Sequence, residues 1–320
     1  MARAAVLGAL ALCARGASAE LPLYKNAAAS VDERTADLVS RMTLEEMVAQ
    51  TLNPVGASDD PNGGFHVNIS EILSRYGATG LGTVYTGIGG CNASHPTRIS
   101  CQNFLQSSIM ASSRLGIPIS FIGETLSAGC AGATIFPQPV NRGAAFDVAL
   151  EARIGESIAR QARLGGIDRG LSPVLQVDTD ARFGRFEEAY GEDPHLVATM
   201  GVAVATALQG GAEGPHEYVA SNASISCEAK HALAYGFGGR DWYGVDLSNR
   251  TLFDIYAKPW HRAIRDAGLR GLMVAHNEVN GLPLHGNKFI LTDVLRNWFG
   301  SGKGSNGTGD ALLIASDWCV

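Results

Sequence analysis

The sequence predicts an α/β protein built on one parallel sheet. Short apolar stretches, often β-branched, alternate with stretches that have helical spacing of their apolar residues. Alternation of this kind indicates parallel strands joined by right-handed helical crossovers. Polar side chains stand where most of the apolar stretches end, and in such folds functional groups gather at the carboxyl ends of the strands. We therefore expect a site along one edge of the sheet.

The length and order of the elements favour a barrel over an open doubly wound sheet. About six strands are expected, whereas a closed barrel has eight. No G-x-G-x-x-G follows the first strand, so a dinucleotide site is unsupported. We predict a (β/α)8 TIM-like barrel that is incomplete at its C-terminus. The expected strands are Gly80–Tyr85, Ile117–Ile122, Leu171–Val177, Ala223–Ala229, Leu269–Ala275 and Ala311–Ala315.

Helical spacing occupies the stretches between these strands. An N-terminal helical region, Asp32–Leu52, comes before them, and a Gly/Ser/Asn-rich loop, Ser301–Asp310, precedes the last strand. Pro259 is expected to kink the fourth inter-strand helix or to begin its second half. The helices expected between the strands are Ile99–Leu115, Val148–Leu164, His195–Gln209, Arg250–Asp266 and Lys288–Trp298.

Composition narrows the class of partner. The chain has 320 residues, of which 18% are charged, and a net charge of −6 without a basic patch, so nucleic acid is excluded as a partner. The sequence contains no C-x-x-C pair, so a structural zinc site is not expected. No cofactor is expected either. Oligomeric state is left open by the sequence.

The N-terminus resembles a secretory signal. Arg3 supplies positive charge, Val6–Ala14 is apolar but too short to span a bilayer, and Ala17–Ala19 offers an A-x-A cleavage site. We expect residues 1–19 to be the signal, residues 20–320 to form the domain, and the protein to be secreted as a glycoprotein. Five N-x-S/T sequons agree with export, and Cys91 and Cys101 could close a small loop. The sequons are Asn68, Asn92, Asn222, Asn249 and Asn306.

Charged and aromatic side chains cluster at the expected strand ends. Several acids, two arginines, a lysine and histidines together can hold a sugar, since carboxylates accept hydrogen bonds from hydroxyls and cations donate to them. Phe183 and Trp318 could cover an apolar sugar face. The strand-end groups are Glu124, Asp178, Asp180, Arg182, Arg185, Lys230, His231, His276, Asn277 and Asp317.

A purely structural interpretation exists for several of these residues. Arg185 could pair only with Glu187, Glu188 or Glu192, and His231 could be a satisfied core histidine. Asp317 could cap a following helix, and Lys230 could be solvated. What favours function is that all of them converge on one predicted face.

Seven segments, in order, resemble glycoside hydrolase family 3, β-glucosidase and β-xylosidase type. They span most of the chain from Asp32 to Trp318. The matching segments are Ala36–Gln50, Gly116–Gly123 with Glu124-Thr125-Leu126, Asp180–Pro194 (DARFGRFEEAYGEDP, near D-P-R-W-G-R…E-x-Y-G-E-D-P), Lys230-His231, Asp246–Leu252, Asn277–Gly281 with Asn287 to Leu295, and Ser316-Asp317-Trp318.

The resemblance implies roles for the matched residues. Asp317 would be the nucleophile of a retaining, exo-acting β-glycosidase that removes terminal β-D-glucosyl residues. A second carboxyl group about 5 Å away would assist departure. Nearby cations, Lys230 and Arg185, would favour the ionised form of Asp317. The residues implied to hold the sugar are Glu124, Arg185, Lys230, His231, His276 and Trp318.

Departures from the family pattern bear on specificity and completeness. Ser127 replaces a histidine and His276 a tyrosine, while Ala181, Phe183 and Ala232 replace a proline and two aromatic residues. In most of the family the acid/base glutamate lies on a C-terminal α/β-sandwich domain, and nothing in this sequence matches it. The branch that uses a histidine in K-H-F-P-G-H-G is disfavoured. We therefore expect residues 20–320 to be a truncated barrel domain, weakly active or inactive alone.

Three alternatives accompany this interpretation. One is a β-xylosidase of the same family, and another is a catalytically inactive sugar-binding remnant. The third is an unrelated barrel enzyme, such as an aldolase with Lys230 as Schiff base, which would leave Asp317 and Arg185 without a role.

Overall fold

The computed structural model describes residues 21–53, 69–85, 97–130, 132–211, 223–236, 244–300 and 312–317. These divide into two compact units, one up to Thr43 and one from Leu44 onwards. The first unit contains a 3-10 turn, Leu23–Lys25, and helix α1, Val31–Arg41. Ser30 caps α1: its side chain accepts from the Glu33 backbone N–H, while Glu33 accepts from the Ser30 backbone N–H. This pair of hydrogen bonds between residues close in sequence explains why α1 begins after Ser30.

Six parallel strands form the sheet of the second unit. Within this sheet each strand pairs with the sheet strand that follows it along the chain, as in a (β/α)8 barrel. The described residues supply six of the eight strands that such a barrel needs. A separate two-stranded antiparallel hairpin, Glu278–Val279 with Leu282–Pro283, follows the fifth strand. The strands are β1 Thr83–Tyr85, β2 Ser120–Gly123, β3 Arg169–Gly170, β4 Ser226–Ala232, β5 Gly271–Val274, β6 Glu278–Val279, β7 Leu282–Pro283 and β8 Leu313–Ala315.

Helices occupy most of the connections between the strands. Helical structure is present in all five expected inter-strand regions. Two short helices, Ile69–Tyr76 and Pro139–Ala144, are additional. The α-helices of the second unit are α2 Leu44–Thr51, α3 Ile69–Tyr76, α4 Arg98–Ser112, α5 Pro139–Ala144, α6 Val148–Leu164, α7 Pro194–Leu208, α8 Asn249–Thr251 and α9 Lys258–Asp266. Two π-helical segments, Leu252–Tyr256 and Phe289–Trp298, and 3-10 turns at Ala181–Phe183, Phe186–Glu188 and Leu284–Gly286 complete the set.

Two elements differ from the sequence prediction for reasons that involve proline. The helix expected at Arg250–Asp266 is divided into α8, a π-helical segment and α9, and Pro259 occupies the first turn of α9, where its missing N–H costs nothing. The third strand was expected at Leu171–Val177, and that placement was wrong: β3 is Arg169–Gly170, just before it. Within the expected range only Val174 forms a bridge, to Lys230, since Pro173 cannot donate to the ladder. The chain stays paired beyond β3, since the Lys230 N–H donates to the Pro173 carbonyl.

Apolar packing between the helices and the inner strands forms the main core. Ile158 of α6 and Met200 of α7 are fully buried in it, as are Leu175 and Trp260. A smaller core lies between α3, α4 and the first two strands. This packing fixes the helix layer against the sheet and so fixes the strand ends that carry the polar groups.

Several expectations concern residues outside the described ranges. The signal at 1–19, four of the five sequons, Cys91 and Trp318 are among them. Asn249, the remaining sequon, is exposed at the start of α8. Cys101 is disulfide-bonded, while Cys130 and Cys227 are free thiols. Among the residues that the structure describes, no helix has the length and apolar character needed to cross a bilayer.

We expect Ile158→Ala to lower the free energy of unfolding by about 2–5 kcal/mol, because it leaves a cavity where α6 packs into the main core. Leu164→Ala on the same helix is the matched control, since that side chain is 74% exposed. Urea unfolding followed by circular dichroism measures both. Equal losses for the two variants would contradict the proposed packing.

Candidate active site

The predicted residues do meet at one edge of the sheet. Glu124 follows β2, Lys230 and His231 lie near the end of β4, His276 follows β5, and Asp317 follows β8. Because all these strands are parallel, their carboxyl ends face the same edge.

Asp317 lies against two histidines. Its Oδ2 is 3.3 Å from His276 Nε2 and 4.0 Å from His231 Nε2, and the Asp317 side chain is only 10% exposed. Asp317 has a φ of +72°, in the left-handed region that few residues other than glycine, asparagine and aspartate adopt readily.

His231 is buried and neutral. Burial, together with the cations Lys230 and Arg185 beside it, holds the pKa of this imidazole well below its usual value. Its Nδ1 is 3.2 Å from Gln176 Oε1, and its Nε2 is 3.3 Å from Arg185 Nη2. The 4.0 Å separation from Asp317 is therefore a contact between a carboxylate and a neutral ring, not an ion pair.

Arg185 forms the ion pair that the structural interpretation expected and also lies beside His231. Its guanidinium forms two parallel hydrogen bonds to Glu188, at 2.8 and 2.7 Å, and also reaches the His231 ring. It lies 5.8 Å from the centre of the Tyr235 ring, which gives it an aromatic support. These partners hold the planar guanidinium in a fixed orientation.

Lys230 pairs with Glu124 across the neighbouring strand. Its Nζ is 2.8 Å from each Glu124 oxygen. The Lys230 side chain is 5% exposed, whereas that of Glu124 is 49% exposed. The pair therefore has a buried cationic end and a carboxylate that faces solvent, where a hydroxyl-rich ligand can reach it.

Two expectations about the segment after β3 were wrong. Phe183 does not cover a sugar face: it is 1% exposed, lies in the main core, and packs edge-to-face on Tyr235 with ring centres 4.7 Å apart. Asp180 and Arg182 pair with each other, and the Arg182 side chain is 84% exposed. The Arg182 hydrogen bond lowers the pKa of Asp180 to about 2, so both remain charged at the surface.

Asparagines in the Asn277–Gly281 motif have structural roles. Asn280 and Gly281 both have positive φ and make the two-residue turn between β6 and β7. The Asn280 side chain also bonds the backbone N–H and carbonyl of Leu247. Asn277 donates to the Ala234 carbonyl at 3.1 Å, which ties the end of β5 to the segment after β4. This motif therefore holds the loops around the site in place.

Sequence reasoning missed Gln176, Glu228 and Tyr235. Glu228 is buried on β4 in an ion pair with Arg169, at 2.8 Å, and burial raises the pKa of its carboxyl. The signal for such residues is a polar group inside an apolar strand, which is costly unless it is partnered. Among the residues described, no group of three or more His, Cys, Asp or Glu has the arrangement of a metal site.

Comparison with known proteins identifies the family. The profile of the glycosyl hydrolase family 3 N terminal domain matches residues 43–314, a stretch that ends just before Asp317. The chain belongs to glycosyl hydrolase family 3, of which it carries the N-terminal domain.

Named relatives include both glucosidases and xylosidases. A putative beta-xylosidase from Formosa agariphila is 33% identical over 87% of this chain and 36% of its own length. A periplasmic beta-glucosidase from Salmonella typhimurium is 29% identical over 84% of this chain and 32% of its own. The chain thus spans about a third of the length of these relatives.

Solved structures show the same architecture. A beta-glucosidase from Erythrobacter marinus has a TM-score of 0.75 and 33% identity over 88% of this chain and 36% of its own. A beta-glucosidase from Listeria innocua in complex with glucose has a TM-score of 0.71 and 27% identity over 90% of this chain and 38% of its own.

We expect Asp178→Asn to change stability in a pH-dependent way. Burial raises the pKa of Asp178 to about 8, far above the roughly 3.9 of an unfolded aspartate, so between those values the folded state binds the extra proton. Its favourable contribution is full below the unfolded pKa and is lost as pH rises towards 8. The asparagine variant should therefore gain roughly 1–3 kcal/mol relative to wild type from pH 5 to pH 7.

Urea unfolding of both proteins at the two pH values measures this gain. Asp180→Asn is the matched control, because Asp180 is already ionised in both states over that range and its difference from wild type should stay constant. A constant difference for Asp178→Asn would show that this carboxyl is ionised in the folded protein.

Proposed function

We propose that this chain is the sugar-binding, nucleophile-bearing domain of a retaining, exo-acting β-glycosidase that removes terminal β-D-glucosyl residues. The observation that carries the proposal is the Asp317 carboxylate, enclosed by His276 and His231 on the edge where Lys230 and Arg185 also lie. Family membership supports the same reaction class.

In this mechanism Asp317 is the nucleophile. One of its carboxylate oxygens attacks the anomeric carbon, and the bond between that carbon and the leaving oxygen breaks with its electrons passing to that oxygen, which takes up a proton. Water then attacks the same carbon, loses a proton and displaces the carboxylate, and the sugar leaves with its original configuration. Partial burial aids the first step, because a carboxylate with little solvation loses little hydration when it attacks.

The surrounding groups would bind the sugar hydroxyls. Glu124 can accept hydrogen bonds with the carboxylate that faces solvent, while the charged hydrogen bonds from Lys230 fix its orientation. Arg185 can only donate, and a neutral His231 can accept through its unprotonated ring nitrogen. We propose His276 and Trp318 as further contacts, the first through its place beside Asp317.

Glucose is the favoured sugar, and a β-xyloside is the second candidate. A relative from Listeria innocua was solved in complex with glucose, which supports the first. The second has support from the Formosa agariphila relative and from an exo-1,4-beta-xylosidase of Emericella nidulans, 32% identical over 64% of this chain. Rates with matched aryl β-glucoside and aryl β-xyloside rank the two.

Export is part of the proposal. The N-terminal signal pattern supports it, and so does the relative from Salmonella typhimurium, which is named as periplasmic. Detection of a mature chain that begins near residue 20 in the culture medium or periplasm tests this point.

We expect an activated 2-deoxy-2-fluoro β-glucoside to label Asp317. Such a substrate carries a good aryl leaving group that needs little acid assistance, so formation of the covalent sugar ester reports on the nucleophile. Mass spectrometry of the intact chain and its peptides measures the added sugar. Asp317→Asn should slow labelling by on the order of 10³-fold or more, as expected when a nucleophile is removed.

Asp254→Asn is the matched control, because this aspartate is 67% exposed and pairs with Arg250, one turn earlier on the same surface. Its labelling rate should equal that of wild type. Labelling of a different carboxylate would reject Asp317 as nucleophile. Glucose binding by calorimetry in a wild-type chain that is never labelled would favour the inactive sugar-binding alternative.

A further inference from the structure

A line of buried hydrogen bonds leads from the sheet interior to the candidate site. Gln176 and Asp178 are alternate residues of the extended segment after β3, and they are 2% and 0% exposed. Gln176 Nε2 donates to Asp178 Oδ1 at 3.1 Å, and Gln176 Oε1 is 3.2 Å from His231 Nδ1. His231 in turn lies 3.3 Å from Arg185.

The donors and acceptors in this line fit together in only one direction. Arg185 only donates, so Nε2 of the neutral His231 must carry the lone pair and Nδ1 the proton. The Nδ1–H then faces the amide oxygen of Gln176. The amide N–H faces Asp178 Oδ1, which accepts it even when the other oxygen of that carboxyl is protonated.

The opposite orientation of the amide would fail at His231. With Gln176 rotated, two N–H groups would face Nδ1, the proton would move to Nε2, and that N–H would point at the guanidinium of Arg185. A buried donor facing a donor is unfavourable. By accepting the amide N–H, Asp178 holds Gln176 in the orientation that avoids this conflict.

Asp178 is itself held closely. A Cβ on Gly236 would come 2.7 Å from Asp178 Oδ1, and Gly236 has a φ of +100°. Only a residue without a side chain fits so near the carboxyl and adopts that backbone conformation readily. The glycine at position 236 therefore allows the segment after His231 to pack directly against the Asp178 carboxyl.

We propose that Gln176 and Asp178 are positioning residues that hold His231 with its proton on Nδ1, so that Nε2, which faces Arg185 in this structure, accepts a hydrogen bond from a sugar hydroxyl when the sugar is bound. The use of that lone pair for a sugar rests on the proposed glycosidase function. The tautomer itself does not. In the sugar complex a hydroxyl proton would be directed to His231, while Arg185 and Lys230 donate to neighbouring oxygens.

The tautomer is measured directly by NMR. The chain has 8 histidines, so selective ¹⁵N labelling of histidine gives a small set of two-bond ¹H–¹⁵N correlation patterns. Loss of one pattern in His231→Gln assigns the residue. We expect wild-type His231 to show the pattern of a neutral ring protonated at Nδ1. A ring protonated at Nε2, or at both nitrogens, would overturn the proposal whatever the variants do.

Three variants then test the two positioning residues. Asp178→Asn keeps a carbonyl oxygen that can accept from Gln176 and should retain the wild-type pattern. Asp178→Ala removes that acceptor, and Gln176→Leu removes the amide, so both should give mixed tautomers. Circular dichroism selects variants that keep the wild-type fold. An unchanged Nδ1–H pattern in a folded Asp178→Ala or Gln176→Leu would refute the assignment.

Calorimetric titration with glucose separates this inference from the function on which it draws. Affinity should fall about 10-fold in Asp178→Ala and Gln176→Leu and stay within about 2-fold in Asp178→Asn. Equal affinities across the set, with tautomers that differ, would overturn the role in sugar binding. If wild type binds no glucose, the proposed function fails, and the NMR pattern still decides the tautomer.

Discussion

Burial of charge at the carboxyl edge of a parallel sheet is the constraint on which this structure depends. A carboxylate, a lysine and two histidines lie there with side chains at most 10% exposed. Removing such groups from water is costly unless each finds a partner. The partners come from different strands, so the site exists only when several strands are in register.

Most of the buried charges are stabilised in pairs of opposite sign that are adjacent in space. Lys230 has Glu124, Arg185 has Glu188, and Arg169 has Glu228, each within 2.8 Å. His231 avoids the cost of burying a charge in another way, because it stays neutral. Its two ring nitrogens face the amide of Gln176 and the guanidinium of Arg185. The cations are thereby held in fixed directions, which is what recognition of a sugar with several hydroxyls requires.

Departures from the family pattern are easier to understand in three dimensions. Phe183, where the family has a tryptophan, is a core residue that supports Tyr235 and through it Arg185. Ala232 is completely buried, so the position takes a small side chain beside the core. His276 stands 3.3 Å from Asp317 and places an imidazole where the family pattern has a phenol. This last change is the one that touches the proposed nucleophile.

The sequence by itself determined the alternation of strands and helices, the six parallel strands of the sheet, and the strand ends that carry Glu124, Lys230, His231, His276 and Asp317. Those features follow from apolar spacing and from motifs, which are local along the chain. Only the tertiary structure decided which groups pair, that Asp180 turns to Arg182 at the surface, and that Gln176 reaches His231. Pairing across strands depends on register and on the depth of each side chain, and neither is encoded in the spacing of one segment.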